Sequence, residues 1–147
     1  TTEIYTLSLH DALPIYKMEK IIWNEESWSV GHSLMDDQHQ QILALINKMI
    51  EIRQGKRPKS DLLTALSLLS QQITHHFGAE GVVLLSVKMP NLEEHIKSHE
   101  QFSSKLREFL LDCNGLSSEQ TIDFLVSWWT DHILHEDTKY KHLFIDP

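Results

Sequence analysis

An all-α fold is predicted for this chain: an up-down-up-down four-helix bundle preceded by an N-terminal arm. Three observations predict it. Four long segments carry apolar residues at steps of three and four, the period of a helix buried on one face. Glycine, proline or asparagine interrupts the chain between them. No stretch alternates with the two-residue period of a strand, and there is no internal repeat or low-complexity tract. The 147 residues suit one compact domain, and a hydrophobic share of 41% supplies a core.

Residues 1–17, "TTEIYTLSLHDALPIYK", differ from the rest. They lack a basic start and carry Asp11 and Pro14 in their apolar part, unlike a secretory signal. "YTLSLHDALPI" resembles a translated sequencing adapter, and "MEKIIWNEESW" after it reads as a natural start. Residues 1–17 are therefore expected to be a non-native extension, which sets His10 aside, and residues 18–147 to form the domain. Residues 18–36 are expected to be an arm that packs Trp23 and Trp28 over one end of the bundle.

The first bundle helix is predicted over about Asp37 to Arg53, with His39, Ile42, Leu43, Ile46, Met49 and Ile50 on its stripe. Gly55 and Pro58 end it. The second runs from about Ser60 to Val87, with Leu62, Leu66, Leu69, Ile73, His76, Glu80 and Leu84 aligned. Gly81 inside it costs roughly 1 kcal/mol relative to alanine. The third is expected to start at Asn91 as N-cap, with Glu94 completing a capping box. Its stripe is Leu92, His95, His99, Phe102, Leu106 and Phe109. The fourth is expected near Ser117, with Gln120 at the matching position and Ile122, Leu125, Trp128 and His132 in line. Short connections between long helices favour antiparallel neighbours.

The bulk properties exclude several classes. A formal net charge of -8 argues against nucleic acid, whose phosphates want a basic face. No apolar run reaches the roughly 18 residues of a membrane span. Cys113 is the lone cysteine, so no internal disulfide can form, and a reducing, cytoplasmic setting is expected. The ten histidines are the unusual count.

Their placement matters more. One histidine on an apolar stripe is ordinarily a satisfied core residue. Here every helix turns metal-ligand types inward: His39 on the first, His76 and Glu80 on the second, His95 and His99 on the third, His132 with nearby acids on the fourth. The pairs on the second and third helices are spaced i, i+4, which aligns them. Burying five imidazoles and two carboxylates without a metal would cost several kcal/mol. That set is too large for one tetrahedral zinc. With both carboxylates bridging two six-coordinate ions, and an oxo or hydroxo group between them, one position stays open for a small ligand. Imidazole with carboxylate suits iron. The Glu-x-x-His motifs of ferritin-like carboxylate enzymes are absent from these stripes, and the histidine-rich shell points to a binder of oxygen.

The stretches "VGHSLMDDQHQ", "HFGAE", "MPNLEEHIKSHEQF" and "WWTDHILHED" occur in the order and spacing of the hemerythrin family, and the chain resembles its single-domain bacterial type from about Trp23 to Tyr140. The resemblance implies the ligands His39, His76, Glu80, His95, His99, His132 and Asp137. It implies that His95, His99 and His132 hold one iron, that His39 and His76 hold the other, and that Glu80 and Asp137 bridge them. Dioxygen would bind end-on at the iron with two histidines. It further suggests that Trp128 and Leu134 line a dry ligand pocket. Gly81 stands where the family often has a second acid, and His32 where an aliphatic is common.

Helical spacing alone favours Glu136, at i+4 from His132, over Asp137, at i+5. Either of two things reconciles this with the resemblance: a bridging carboxylate need not stand directly above the histidine, or a local π-type bulge realigns an i, i+5 pair. Asp137 is taken as the ligand. His32, His75, His135 and His142 are expected to be solvated, boundary or end-of-bundle residues.

The function expected is non-enzymatic dioxygen binding at a non-haem di-iron centre, for storage, delivery or sensing. The competing classes are a di-iron enzyme (peroxidase, oxidase or nitric-oxide-handling) and an iron store. No substrate pocket or electron-transfer motif supports the enzyme, and a closed ligand set argues against the store. Dioxygen is the expected partner; the oligomeric state is left open, and a monomer is compatible with the sequence.

Overall fold

The computed structural model describes residues 19–112 and 118–145. Among them the elements are all helical: α1 (Glu25–Trp28), α2 (Ser33–Arg53), α3 (Asp61–Ser86), α4 (Leu92–Leu111), α5 (Ser118–Asp131), a π turn (His132–Glu136), a 3-10 turn (Asp137–Tyr140) and α6 (His142–Ile145). α2 packs on α3, α3 on α4, and α5 returns to α2, closing the predicted four-helix bundle.

The helix ends depart from expectation in instructive ways. α2 starts four residues before Asp37. His32, its N-cap, makes no side-chain capping bond. Asp36 supplies the anchor instead: it is buried, accepts from Ser29 Oγ at 2.7 Å and from the Val30 N–H at 2.8 Å, and so ties the arm to the first turn of α2. The capping box at Asn91 does not form. Asn91 has φ +58°, in the left-handed region, and its side chain caps nothing. An N-cap side chain reaches back only from an extended backbone, and the turn from α3 places Lys88 and Asn91 both at positive φ. The box at Ser117 lies outside the described residues.

The arm is held by specific bonds. The Ile21 N–H donates to Asn47 Oδ1, and Asn47 Nδ2 donates to the Ile21 carbonyl, each at 2.8 Å. Trp28 is buried in the main core, with Trp23 6.2 Å away, ring to ring. Gly31 is required twice over: its φ is +79°, and a Cβ there would come within 2.9 Å of Ile145 Cγ1. Gly81 has no such reason, since a Cβ there would meet nothing within 4 Å.

The core has two apolar layers. The larger contains Ile42, Ile46, Leu69, Ile73, Phe102, Leu125 and Trp129. The smaller contains Val30, Met35, Leu84 and Tyr140. On each long helix the inward polar residues fall between the two. Met35 and Ile42 flank His39, Ile73 and Leu84 flank His76 and Glu80, and Trp129 and Tyr140 flank His132 and Asp137. The polar centre is thus a layer between two dry ones. On the fourth helix the fully buried tryptophan is Trp129, with Trp128 half-buried beside it, so the core stripe runs Ile122, Leu125, Trp129 and Ile133.

Candidate metal centre

All seven residues expected to be ligands converge in the middle layer, each buried. Their donor atoms form two groups, each within 4.8 Å: Glu80, His95, His99, His132 and Asp137 in one, and His39, His76, Glu80 and Asp137 in the other. The two carboxylates belong to both. Glu80 turns Oε2 to His95 (3.2 Å) and His99 (3.3 Å) and Oε1 toward His76 (3.9 Å). Asp137 turns Oδ1 to His132 (3.0 Å) and His95 (3.4 Å) and Oδ2 to His39 (3.1 Å).

The local backbone explains why Asp137 rather than Glu136 arrives there. His132–Glu136 is a π turn, and the Asp137 N–H donates to the His132 carbonyl five residues back. The wider turn carries residue i+5 above residue i. Of the two routes left open by the sequence, the π turn is the one the chain takes. Glu136 points outward, its oxygens at 3.0 Å from Lys139 Nζ. His76 and Glu80, on a regular stretch of α3, need no such device.

The donor set fits cations. The His39 and His76 Nε2 atoms lie 3.1 Å apart, and those of His99 and His132 2.9 Å apart. Gln38 Oε1 stands 2.9 Å from His76 Nδ1. The amide oxygen can only accept, so the proton sits on Nδ1 and the Nε2 lone pair faces the centre. Both oxygens of Asp137 are buried, and the nearby imidazole nitrogens are not aligned to donate to them. A carboxylate in that state calls for positive charge.

The protonation pattern agrees. Burial, then the neighbouring His39, pushes His76 down to about 3. Burial, then His132, pushes His99 down to about 2. Both are neutral bases at physiological pH, the form that binds metal. For His95 burial opposes the charge, but Glu80 and Asp137 outweigh it and raise its pKa. Asp137 is held well below the usual carboxylate range: burial resists this, and His132 and His39 overcome it.

Four contributors escaped the sequence reading. Gln38 was concealed in a polar run, though it adjoins His39. Phe77 stacks on His99 with ring centres 3.7 Å apart and planes within 4°. Trp129 lies 5.8 Å from the His76 ring and 6.4 Å from His39; its spacing from Leu125 could have revealed it. The Tyr140 hydroxyl donates to Glu80 Oε1 through a short bond. Burial and the Asp137 and Glu80 charges raise its pKa, so the phenol stays protonated. Trp128 stacks on the His132 ring at 4.3 Å and 11°, and Leu134 is half-buried against the main core. His75, His135 and His142 are exposed, and His32 packs edge-on against Phe144 at 5.0 Å. None of these four joins the centre, and His10 lies outside the described residues.

Fold and site together define a helical-bundle protein with a buried histidine–carboxylate cluster able to hold metal. Residues 30–144 match the family described as "Hemerythrin HHE cation binding domain", and the chain belongs to the hemerythrin family. It is 32% identical over 122 residues to the myohemerythrin of Sipunculus nudus, covering 82% of this chain and 90% of that one. It is 25% identical over 126 residues to the bacteriohemerythrin of Clostridium acetobutylicum, covering 81% and 97%. A crystal structure of wild-type hemerythrin superposes with a TM-score of 0.76 at 18% identity, over 86% of this chain and 98% of that one, which bears out the fold. No helix among the described residues is long and apolar enough to cross a membrane.

Proposed function

We propose that the protein binds dioxygen reversibly at two iron ions, joined by an oxo or hydroxo group and held by His39, His76, Glu80, His95, His99, His132 and Asp137. The role is storage, delivery or sensing rather than catalysis, and the lone cysteine favours a cytoplasmic setting. One observation carries the reading. Five protein donors gather on one side and four on the other, with both carboxylates shared, so the smaller group leaves room for an exogenous ligand.

The chemistry the ions would supply is two-electron exchange with dioxygen. What the chain supplies is shelter and orientation. Glu80 and Asp137 hold the two groups at a fixed separation. Gln38 and Tyr140 lock one histidine and one carboxylate in place. The apolar layers above and below exclude water. Without metal, His76 and His99 are already neutral at neutral pH and so ready to bind it, and Tyr140 keeps its proton. A site without a loose proton favours release of the ligand intact. Trp128 and Leu134 flank the His132 turn and would help keep it dry.

Stopped-flow mixing of reduced, iron-loaded protein with oxygen, then removal of oxygen under argon, tests the reading. A spectrum that forms and then reverts is expected. Rapid one-way oxidation with stoichiometric peroxide release would move the protein among the enzymes.

A further inference from the structure

Trp129 carries a polar group for which the centre described so far has no use. Its side chain is fully buried, and its indole Nε1–H meets no acceptor among the described residues. Buried donors are nearly always satisfied, so an exception needs a reason. The ring stands 5.8 Å from His76, 6.4 Å from His39 and 6.3 Å from His132. It therefore borders both groups and stands nearest to His76, in the group with fewer protein donors. The other aromatic rings beside it, Phe77, Phe102 and Trp128, offer no strong acceptor.

We propose that Trp129 determines ligand specificity at this centre: its indole N–H is the hydrogen-bond donor for a small anionic ligand on the His39–His76 side. The proposal rests on the di-iron reading and goes beyond it. An indole N–H donates without giving up its proton. It stabilises negative charge on a ligand while leaving that ligand unprotonated, which a hydroxyl group or an imidazolium would not do as safely. The pocket should then rank small ligands by charge as well as by size. A neutral diatomic gains little from the donor and an anion gains much, because hydrogen bonds to charged partners are the stronger kind.

Trp129→Phe removes the N–H and keeps an aromatic ring. The dissociation constant of azide from the di-ferric protein is expected to rise about tenfold, the lower end for a bond to a charged group. Nitric oxide binding to the di-ferrous protein should change by less than about threefold, since a neutral ligand draws little from the N–H. Equal weakening of both ligands would reduce Trp129 to a packing residue, and unchanged azide affinity would overturn the proposal outright. Ultraviolet resonance Raman gives a readout that needs no folded variant. One component of the indole band sensitive to N–H bonding, apart from that of Trp23, which donates to Glu25, should sit at the free position in metal-free protein and move when azide is added to the iron-loaded form. A band that stays still while azide binds would mean that the N–H faces the Phe102 or Trp128 ring, and would overturn the proposal alone. Protein that loads no iron would bring down the di-iron reading with it.

Discussion

Two segments of the molecule solve one problem in different ways. In α3, His76 is followed at i+4 by Glu80 on a regular helix. After α5, His132 is followed at i+5 by Asp137 across a π turn. Both pairs deliver an imidazole and a carboxylate to the same buried layer. The longer Glu side chain reaches the centre from an ordinary register. The shorter Asp arrives through a wider turn of backbone, and a 3-10 turn, Asp137–Tyr140, follows at once. Side-chain length and helix geometry are thus interchangeable means of placing a carboxylate, but only the first leaves its mark on hydrophobic periodicity.

The sharpest way to break this equivalence is to neutralise each carboxylate. Glu80→Gln and Asp137→Asn each remove a shared anion and leave imidazoles facing one another. Iron content should fall from about two per chain to about one or fewer in both variants, as elemental analysis would show. If one variant kept its full iron, the two carboxylates would not be equivalent bridges.

Removing the metal tests the two backbones. Seven buried polar side chains then lack their partner ions, and the melting temperature should drop by about 10 °C or more. Amide exchange should quicken in His132–Glu136 before His76–Glu80, since the π turn has the less regular ladder. Equal melting with and without metal would contradict the account of the layer.

Acid has a smaller effect. In the metal-free protein His76 is held at about 3, against 6.5 for an ordinary histidine. The unfolded chain therefore takes up a proton that the folded chain refuses, and stability is lost as pH falls from about 6.5 toward 3. His99, held at about 2, adds to this in the same sense. His95, raised, acts oppositely: its contribution is full below 6.5 and is lost as pH climbs through its folded value. Asp137, depressed, gives way only below about 3.8, its ordinary value. Titrated from pH 7 to 4, metal-free protein should melt at steadily lower temperature as His76 and His99 are forced to charge. A flat profile would mean that these histidines are not buried as neutral bases.

The smallest effect concerns the acid that regular spacing favoured. Glu136→Gln should leave iron content unchanged and shift stability by no more than about 0.5 kcal/mol, because Glu136 is half-exposed and bonded to Lys139 at the surface. Loss of iron in this variant would restore the i+4 assignment.

Much of the bundle was legible in the sequence because burial of one helical face imposes a period. Ile42, Ile46, Leu69, Ile73 and Leu106 announced the core, and the histidines were conspicuous by sharing those faces. What periodicity cannot carry is backbone irregularity. The π turn breaks the period where it matters, and Asp137 fell on the expected ligand set through family likeness. Asn91 looked like an N-cap, but the chain reverses there at positive φ, a tertiary demand that overrides local preference. Gln38 and Tyr140 act on ligands across helices, and the choice of Trp129 over Trp128 depends on how α5 is rotated against α2. Such partnerships exist only once the helices are packed.

The aromatic sleeve around the histidines has an optical consequence. Trp128 lies face to face with His132 at 4.3 Å, and Trp129 within 6.4 Å of His39. An excited indole so close to an open-shell ion hands over its energy before it can emit. Trp23 and Trp28, paired with each other in and beside α1, provide a steadier background glow. Iron held there as proposed would give the chain its own gauge of occupancy, with fluorescence that dims as the centre fills and brightens as a chelator empties it.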